Sequence, residues 1–210
     1  MYRTVSQMHD DLDFLIDKVR TPRFSQDQRD RTLNMAQDRI IQDRYDNIRK
    51  NTGYSFQSLQ RVRDELRPIV VEHSITPDIS QATFDLPDDY RHEVLLEVIL
   101  NTTTVTSTPM SHDEKGIISQ DPYDTPTNEE PRHMEKTGKT VKVFFEYGYF
   151  VGGTLYYLRN PKPISFDDSQ DSELPGHLHD ELLELASQII NGTVENINRY
   201  KIAEKEAKAS

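Results

Sequence analysis

Apolar residues recur at spacings of three and four in the first part of the chain, which is typical of amphipathic helices. Two capping-box pairs, Thr4 with Gln7 and Ser25 with Gln28, stand directly ahead of these periodic runs. We therefore expect a helix to begin after each pair. The buried stripe of the first helix is predicted to contain Val5, Met8, Leu12, Leu15 and Val19, and that of the second Leu33, Ala36, Ile40, Ile41, Tyr45 and Ile48.

The second helix should extend from residue 25 to residue 50, with acidic and basic side chains intermixed on its other faces. Mixed-sign charge of this kind is typical of a solvated face and would also suit contacts between subunits. A third helix is expected from about Ser55. Pro68 should stop or kink it, because proline lacks the N–H that a helical hydrogen bond needs.

The pattern changes after Pro77, where short β-type runs replace the helical spacing. Residues 82–86 are typical of a short strand, and Asp88-Asp89-Tyr90 is typical of a turn. The apolar run 94–100 favours a strand, because the six residues that follow are rich in β-branched side chains.

The clearest strand signal is the alternation within residues 141–147. Gly152-Gly153 predicts the turn of a hairpin, and residues 154–158 its returning strand. Ile164 and Phe166 are candidates for a further edge strand. The apolar face of the first strand is predicted to contain Val141, Val143, Phe145 and Tyr147.

Residues 107–139 contain four prolines and few apolar side chains. A loop of this length inside a compact domain is usually functional or disordered. We expect an extended, Pro-rich arm that orders against a partner.

Pro175 suits the first turn of a last helix, where its missing N–H would have no partner in any case. From Ala203 onward only Ala, Glu, Lys and Ser occur, which predicts a solvated or partner-dependent tail. The apolar stripe of this helix is predicted to contain Leu178, Leu182, Leu185 and Ile189.

These patterns predict an α+β fold with two parts. Residues 1–80 and 167–210 together should form a helical bundle, and residues 81–166 a β-rich subdomain inserted into it. The expected arm at 107–139 belongs to the insertion.

The amino-acid composition excludes several classes of function. Hydrophobic residues make up 34% of the chain and charged residues 29%, so the core is small and burial against partner subunits is expected. The net charge of −11 disfavours tight nucleic-acid binding, which gains affinity from Lys and Arg. The absence of Cys excludes disulfides and thiol catalysis. We expect neither a signal peptide nor a membrane span.

Few residues suggest catalysis or metal binding. His177 and His179 are two apart and point to different sides of a helix, so they do not form a metal site. The adjacent acids Asp88 and Asp89 are typical turn residues, and an acid–base hydrolase that uses them is a weak alternative. Nucleophile-elbow, phosphate-loop and dinucleotide motifs are absent. We expect a protein that is not an enzyme, with no catalytic, cofactor-binding or metal-binding residue.

Aromatic residues are concentrated near the predicted hairpin. Seven of the 18 Tyr and Phe residues lie between Phe144 and Tyr157. A sheet core or a subunit interface explains such a cluster, because aromatic residues dominate both. The alternative is a soluble binding module whose Tyr-rich hairpin stacks on sugars or on nucleic-acid bases.

Three stretches resemble phage head-to-tail connector proteins, including the tail-adaptor rings of short-tailed phages. The Asn-, Asp- and Tyr-rich composition resembles that of proteins from crass-like phages. The likeness extends over nearly the whole chain, although its motifs are short. The stretches are the helix from Asp30 to Ile41 with Leu33-Asn34-Met35-Ala36-Gln37, the turn Phe84-Asp85-Leu86-Pro87-Asp88-Asp89-Tyr90, and Tyr156 to Ile164 followed by Glu173-Leu174-Pro175.

The resemblance implies a virion structural protein of the phage neck, present in the host cytoplasm during assembly. It implies a homo-oligomeric ring of twelve copies that binds the portal protein and the next tail or neck protein. DNA would pass through the ring without specific binding, as an acidic wall permits. The residues expected to contact other subunits or the portal are Arg31, Arg39, Arg44, Tyr200, Lys201 and Lys205.

Overall fold

The computed structural model describes residues 2–17, 24–50, 63–118, 124–136 and 138–192. These residues combine helices with a curled seven-stranded sheet, so the expected mixed α+β class is confirmed. The chain divides into two compact units, one formed by residues 1–69 with 161–210 and the other by Val70–Asn160. Every helix in the described ranges is too short or too polar to cross a membrane.

The helices are α1 (Val5–Asp17), α2 (Gln26–Lys50), α3 (His112–Ile118) and α4 (179–192). Residues 63–66 are also helical, and 3-10 turns lie at Arg67–Ile69 and Gly176–Leu178. Both predicted capping boxes are confirmed. The Thr4 N–H donates to Gln7 Oε1 over 3.1 Å, and the Gln7 N–H donates back to Thr4 Oγ1 over 3.4 Å. Ser25 and Gln28 make the same reciprocal pair at 3.0 and 3.3 Å.

The predicted stripes of α1 and α2 are largely confirmed. Two predicted stripe residues, Leu15 in α1 and Tyr45 in α2, are only half-buried. Val19 and the side chain of Ile48 lie outside what the structure describes, as does most of the expected third helix. The stripe residues that are buried are Val5, Met8, Leu12, Leu33, Ala36, Ile40 and Ile41.

The last helix begins near the predicted position, because Pro175 directly precedes the 3-10 turn that leads into α4. Leu178 and Leu182 are buried as expected, whereas Leu185 and Ile189 are only half-buried. The buried row is therefore turned toward residues that the predicted stripe did not include. Those residues are Leu183, Ala186 and Ile190.

Polar side chains of α2 form hydrogen bonds with the backbone of the segment that precedes α4. Asn34 Nδ2 donates to the Ile164 carbonyl over 2.9 Å, and Asn34 Oδ1 accepts from the Ile164 N–H over 2.8 Å. Asp30 Oδ2 accepts from the Phe166 N–H over 3.0 Å. The edge strand expected at Ile164 and Phe166 is therefore wrong, because side chains of a helix rather than a neighbouring strand satisfy these backbone groups.

The strands are β1 (Val70–Ile75), β2 (Thr83–Asp85), β3 (Tyr90–Leu100), β4 (Thr103–Pro109), β5 (Arg132–Glu135), β6 (Thr140–Phe144) and β7 (Phe150–Arg159). Their order in the sheet is β1-β7-β3-β4-β5-β6-β2. Neighbouring strands are antiparallel except β4 and β5, which are parallel and share only two residue pairs. The strands expected at 82–86 and 94–100 and the turn at Asp88-Asp89 are confirmed.

The predicted hairpin around Gly152-Gly153 is wrong. Both glycines lie inside β7, which pairs with β1 and β3, whereas β6 pairs with β5 and β2. A Cβ atom at Gly153 would stand 2.2 Å from the Glu97 carbonyl oxygen. This glycine therefore permits a close approach of two strands rather than a turn.

The arm expected at 107–139 is also wrong in its described part. The segment contains the end of β4, then α3 and β5. The start of α3 carries a capping box that was overlooked, in which the Ser111 N–H donates to Glu114 Oε2 over 2.7 Å. The expectation that residues 1–80 are helical fails at β1, which is a strand of the sheet.

The core of the β-rich unit lies on one face of the curled sheet. Along β3 the alternate residues Leu96, Val98 and Leu100 are buried, as the period of a strand requires. Other members come from β1, β2, β6 and β7, so strands from both ends of the sheet contribute to one cluster. The full cluster is Ile75, Phe84, Leu86, Leu96, Val98, Leu100, Val141, Val143, Phe150, Leu155 and Tyr157.

Candidate functional site

The strongest candidate for a binding site is the segment 145–149 between β6 and β7, which we call the tyrosine loop. Tyr147 and Tyr149 are 66% and 67% exposed there, whereas tyrosine side chains are on average only intermediate in exposure. Of the neighbouring aromatic residues, Phe150 and Tyr157 are in the core. The aromatic cluster is thus divided between sheet core and exposed surface.

Asn128 holds the first half of the tyrosine loop. Its Oδ1 accepts from the Glu146 and Tyr147 N–H groups, each over 3.2 Å. Its Nδ2 donates to the Tyr147 carbonyl over 2.9 Å. One amide side chain therefore satisfies three backbone groups that no strand partner reaches.

Asn101 holds the second half. It occupies the turn between β3 and β4 with φ +57°, a left-handed conformation that asparagine tolerates. Its N–H donates to the Tyr149 carbonyl over 2.9 Å, and its Oδ1 accepts from the Tyr149 N–H over 3.0 Å. Gly148, at φ +98°, leaves room for this amide, since a Cβ there would lie 2.4 Å from it.

The tyrosine loop therefore presents two exposed aromatic rings on a backbone that is held in place. Rigid, amphipathic tyrosine side chains lose little conformational entropy on binding, which makes them effective contact residues. The surrounding charge is acidic, because Glu146 lies in the loop and Glu129 and Glu130 directly follow Asn128. All three of these carboxylates are exposed.

The other two tyrosines of the cluster face different surroundings. Burial, together with a 2.8 Å hydrogen bond from its hydroxyl to Asp89 Oδ1, raises the pKa of Tyr157 to about 12. The carboxylates of Glu72 and, to a smaller extent, Glu97 raise the pKa of Tyr156. Neither residue belongs to the tyrosine loop.

Asp88 and Asp89 do not share one environment. The Asp88 carboxylate is fully exposed and lies 3.2 Å from Lys139 Nζ. Asp89 accepts the Tyr157 hydroxyl, and its carbonyl accepts the Asn160 N–H over 2.7 Å. The pair shapes the turn that leads into β3.

A serine, a histidine and a glutamate from three neighbouring strands form a hydrogen-bonded series. Ser107 Oγ lies 2.9 Å from His133 Nδ1, and His133 Nε2 lies 2.7 Å from Glu93 Oε2. These residue types carry nucleophilic catalysis in hydrolases. Here Ser107 and His133 are each 3% exposed, and the Ser107 hydroxyl also lies 3.2 Å from the Pro131 carbonyl. The series joins β3, β4 and β5 inside the unit.

The histidines considered for metal binding are separate. No group of three potential ligands occurs in the described part of the chain. His179 is fully buried, with Nδ1 accepting the Arg3 N–H over 3.0 Å and Nε2 lying 3.0 Å from the Leu174 carbonyl. His177 is exposed, 3.6 Å from Glu65.

The predicted contact residues fall into three classes. Arg31 and Arg39 are exposed on α2. Arg44 is instead held inside its unit, because its guanidinium lies 2.6 Å from both Glu65 and Glu181. It therefore joins α2 to α4 and is not a free contact surface. Tyr200, Lys201 and Lys205 lie outside the described residues.

Asn101 and Asn128, which organise the tyrosine loop, are not among the functional residues that the sequence predicted. Asn101 stands between two runs of β-branched and apolar residues, a position that favours a tight turn. Asn128 carries no local signal, because its partners are 18 and 19 positions away. No protein-family model and no curated protein sequence matches the chain.

Proposed function

We propose that the protein is a non-enzymatic structural protein of the phage virion. In this proposal twelve copies form a ring that joins the portal to the tail and leaves a channel for DNA. The observation that carries it is the tyrosine loop, in which Tyr147 and Tyr149 are exposed while two asparagine side chains hold the backbone. Exposed, ordered tyrosines are typical of surfaces that bind a partner.

The stretches that resemble connector proteins support the same proposal. Leu33 and Ala36 of the first stretch are fully buried, and Asn34 binds the backbone of Ile164 in the third. Gln37 Oε1 accepts the Ser172 hydroxyl over 2.6 Å. Asn34 of the first stretch therefore holds Ile164 of the third within one unit, as a structural signature would.

We include in the proposal a helical bundle formed by the unit of residues 1–69 and 161–210, into which the β-rich unit is inserted.

The charge of the chain suits a DNA channel. Residues 70–160 contain 15 Asp and Glu against seven Lys and Arg. Like charge keeps a passing duplex from binding to the wall.

The first experiment is to measure the mass of the purified protein by light scattering, alone and with portal rings. The proposal predicts a large ring, or about one bound copy for each portal subunit. A chain that stays at 24.4 kDa in both conditions contradicts the proposal.

The role of the tyrosine loop is tested with Gly148→Ala, which leaves both tyrosines in place. The added Cβ would meet the Asn101 amide at 2.4 Å and is strained at φ +98°, so the loop or its Asn101 anchor must shift. We expect assembly to weaken by about tenfold, because the side chains of Tyr147 and Tyr149 are no longer preorganised for binding. Ile79→Ser, which changes a 58% exposed residue of the same unit, is the matched control and should assemble normally.

A second candidate is a soluble carbohydrate-binding module that uses the same two tyrosines. The exposed, amphipathic rings of Tyr147 and Tyr149 favour it, since such rings stack on sugars. Nucleic-acid bases fit less well because of the net charge of −11. Saturable binding of a soluble glycan to the monomeric protein, with loss of that binding in the Tyr149→Ser variant, would favour this candidate over the oligomeric ring.

A further inference from the structure

The residues that directly precede α1, residues 2–4, are held against the start of α4, and we call them the strap. The Arg3 N–H donates to His179 Nδ1 over 3.0 Å. The Tyr2 ring contacts the His179 ring, with 5.2 Å between the two centroids. His179 is the first residue of α4 and is fully buried, so the strap closes over a histidine that water does not reach.

The hydrogen bonds of His179 define which of its ring nitrogens carries the proton. The Leu174 carbonyl oxygen lies 3.0 Å from Nε2 and can only accept, so Nε2 carries the proton. Nδ1 accepts the Arg3 N–H, so it carries none. Both bonds therefore form together only while the imidazole is neutral. A second proton, on Nδ1, would stand donor to donor against the Arg3 N–H.

We propose that the strap is a latch that acid releases, and that it stays closed only while His179 is neutral. Protonation of Nδ1 removes the acceptor of the Arg3 N–H, so the strap leaves the histidine while the cores stay folded. Acid thereby changes the surface at the starts of α1 and α4. All the residues involved belong to one unit of one chain, so the latch does not depend on ring formation.

The surroundings of His179 determine the direction of the response. Burial has the largest effect and lowers the pKa of His179 below its ordinary value of 6.5. The hydrogen bond with the Leu174 carbonyl and the carboxylate of Asp171 act in the opposite direction, whereas the Arg3 guanidinium lowers the pKa further. Release of the strap relieves the burial and the repulsion, so the open form binds the proton more readily than the closed form.

The remaining bonds of the strap do not involve His179. Asp171 accepts the Tyr2 hydroxyl over 3.2 Å at Oδ2. The carboxylates of Asp11 in α1 and Asp180 in α4 lie 2.9 and 2.5 Å from the Arg3 guanidinium. These bonds hold the closed strap at neutral pH and oppose its opening in acid.

The strap should therefore stay closed above pH 6.5 and loosen progressively below it. Between pH 6.5 and the lowered pKa of the closed form, only the open form binds the additional proton. The ratio of closed to open strap should fall by up to about tenfold for each pH unit in this range.

The test uses the absence of Trp from the chain. Tyr2→Trp places a single fluorophore on the strap, where its ring contacts His179 in the closed form and moves freely in the open form. We expect the fluorescence anisotropy to fall reversibly between about pH 7 and about pH 5, with an unchanged circular dichroism spectrum. A protonated histidine that quenches the indole without release would shorten the lifetime and raise the anisotropy, which contradicts the latch.

Two controls identify the group that titrates. Tyr149→Trp places the same fluorophore in the tyrosine loop, where the anisotropy should stay constant over this pH range. The Tyr2→Trp chain that also carries His179→Gln keeps a donor for the Leu174 carbonyl but does not titrate at this position. It should show no transition, and a transition equal to that of Tyr2→Trp alone overturns the latch.

Asp171→Asn in the Tyr2→Trp chain keeps the proposal testable even if the His179→Gln chain does not fold. The neutral amide is a weaker acceptor for the Val5 N–H, which lies 2.6 Å from Asp171 Oδ1. The release should therefore move to higher pH. Constant anisotropy in both chains overturns the latch, and so does a loss of circular dichroism that accompanies the fall in anisotropy.

Discussion

Single polar side chains replace absent backbone partners at several points of this protein. Asn34 binds both the N–H and the carbonyl of Ile164, as a neighbouring strand residue would. Asn128 does the same for Tyr147 and also accepts the Glu146 N–H. Irregular segments otherwise leave backbone groups unpaired, which is costly when they are buried. A few amides therefore hold long irregular segments in defined conformations.

At the scale of single residues, the lowered pKa of His179 predicts how the stability of the protein depends on pH. Burial, with the Arg3 guanidinium nearby, lowers the pKa of His179 in the folded protein below its unfolded value near 6.5. Below that value the unfolded chain binds a proton that the folded chain resists, so stability falls as the pH drops. We expect urea unfolding to show a smaller free energy at about pH 5.5 than at about pH 7.

The matched variant is His179→Gln, which keeps a donor for the Leu174 carbonyl but does not titrate. It should be less stable at neutral pH and lose less stability on acidification than the wild type. The other titrating groups are common to both proteins, so the difference isolates His179. An equal loss in both proteins would show that His179 does not contribute.

At the scale of elements, the weakest junction of the sheet lies between β4 and β5. Only Thr108 with Arg132 and Pro109 with His133 are paired there. The buried series Ser107, His133 and Glu93 adds side-chain bonds that extend across this junction to β3. Side chains thus supply the cohesion that the short ladder lacks.

We expect His133→Leu to destabilise the protein by about 1–3 kcal/mol, because it leaves buried Ser107 and partly buried Glu93 without this partner. The measurement is urea unfolding followed by circular dichroism. His112→Leu, at an exposed position on α3, is the control and should change the free energy little. If both variants unfold alike, the series does not stabilise the junction.

For the whole molecule, the two units differ in how the chain builds them. The β-rich unit uses one continuous segment, Val70–Asn160, and its core cluster lies entirely within that segment. The other unit needs two distant segments, since Asn34 and Arg44 of α2 bind Ile164 and Glu181. Continuity should therefore decide which unit can fold alone.

We expect a fragment of residues 70–160 to fold by itself, with a β-type circular dichroism spectrum and a cooperative thermal transition. A fragment of residues 1–69 should not reach a comparable fold, because the partners of α2 are missing. Dispersed amide signals in the nuclear magnetic resonance spectrum of the first fragment would confirm its core. A random-coil spectrum would contradict the assignment of an independent unit.

The helices α1 and α2 could be predicted from sequence because their determinants are local. A capping box uses residues three apart, and a buried stripe repeats every three or four residues. Ser25 and Gln28 therefore predict the start of α2, and Leu33 and Ala36 predict its buried side. The exposed positions of Arg31 and Arg39 follow from the same periodicity.

The sheet was only partly predictable because pairing depends on residues that are distant in the chain. Gly153 has the composition of a turn, yet it lies in a strand where the Glu97 carbonyl comes too close for a side chain. Tyr147 continues the alternation of β6, yet it is exposed because Asn128 draws its backbone into a loop. Local pattern alone determined α1 and α2 and their charged faces, whereas α3 lies where the sequence predicted an extended arm. The tyrosine loop was decided by tertiary structure, because residues from three separate segments must meet before its backbone groups find their partners.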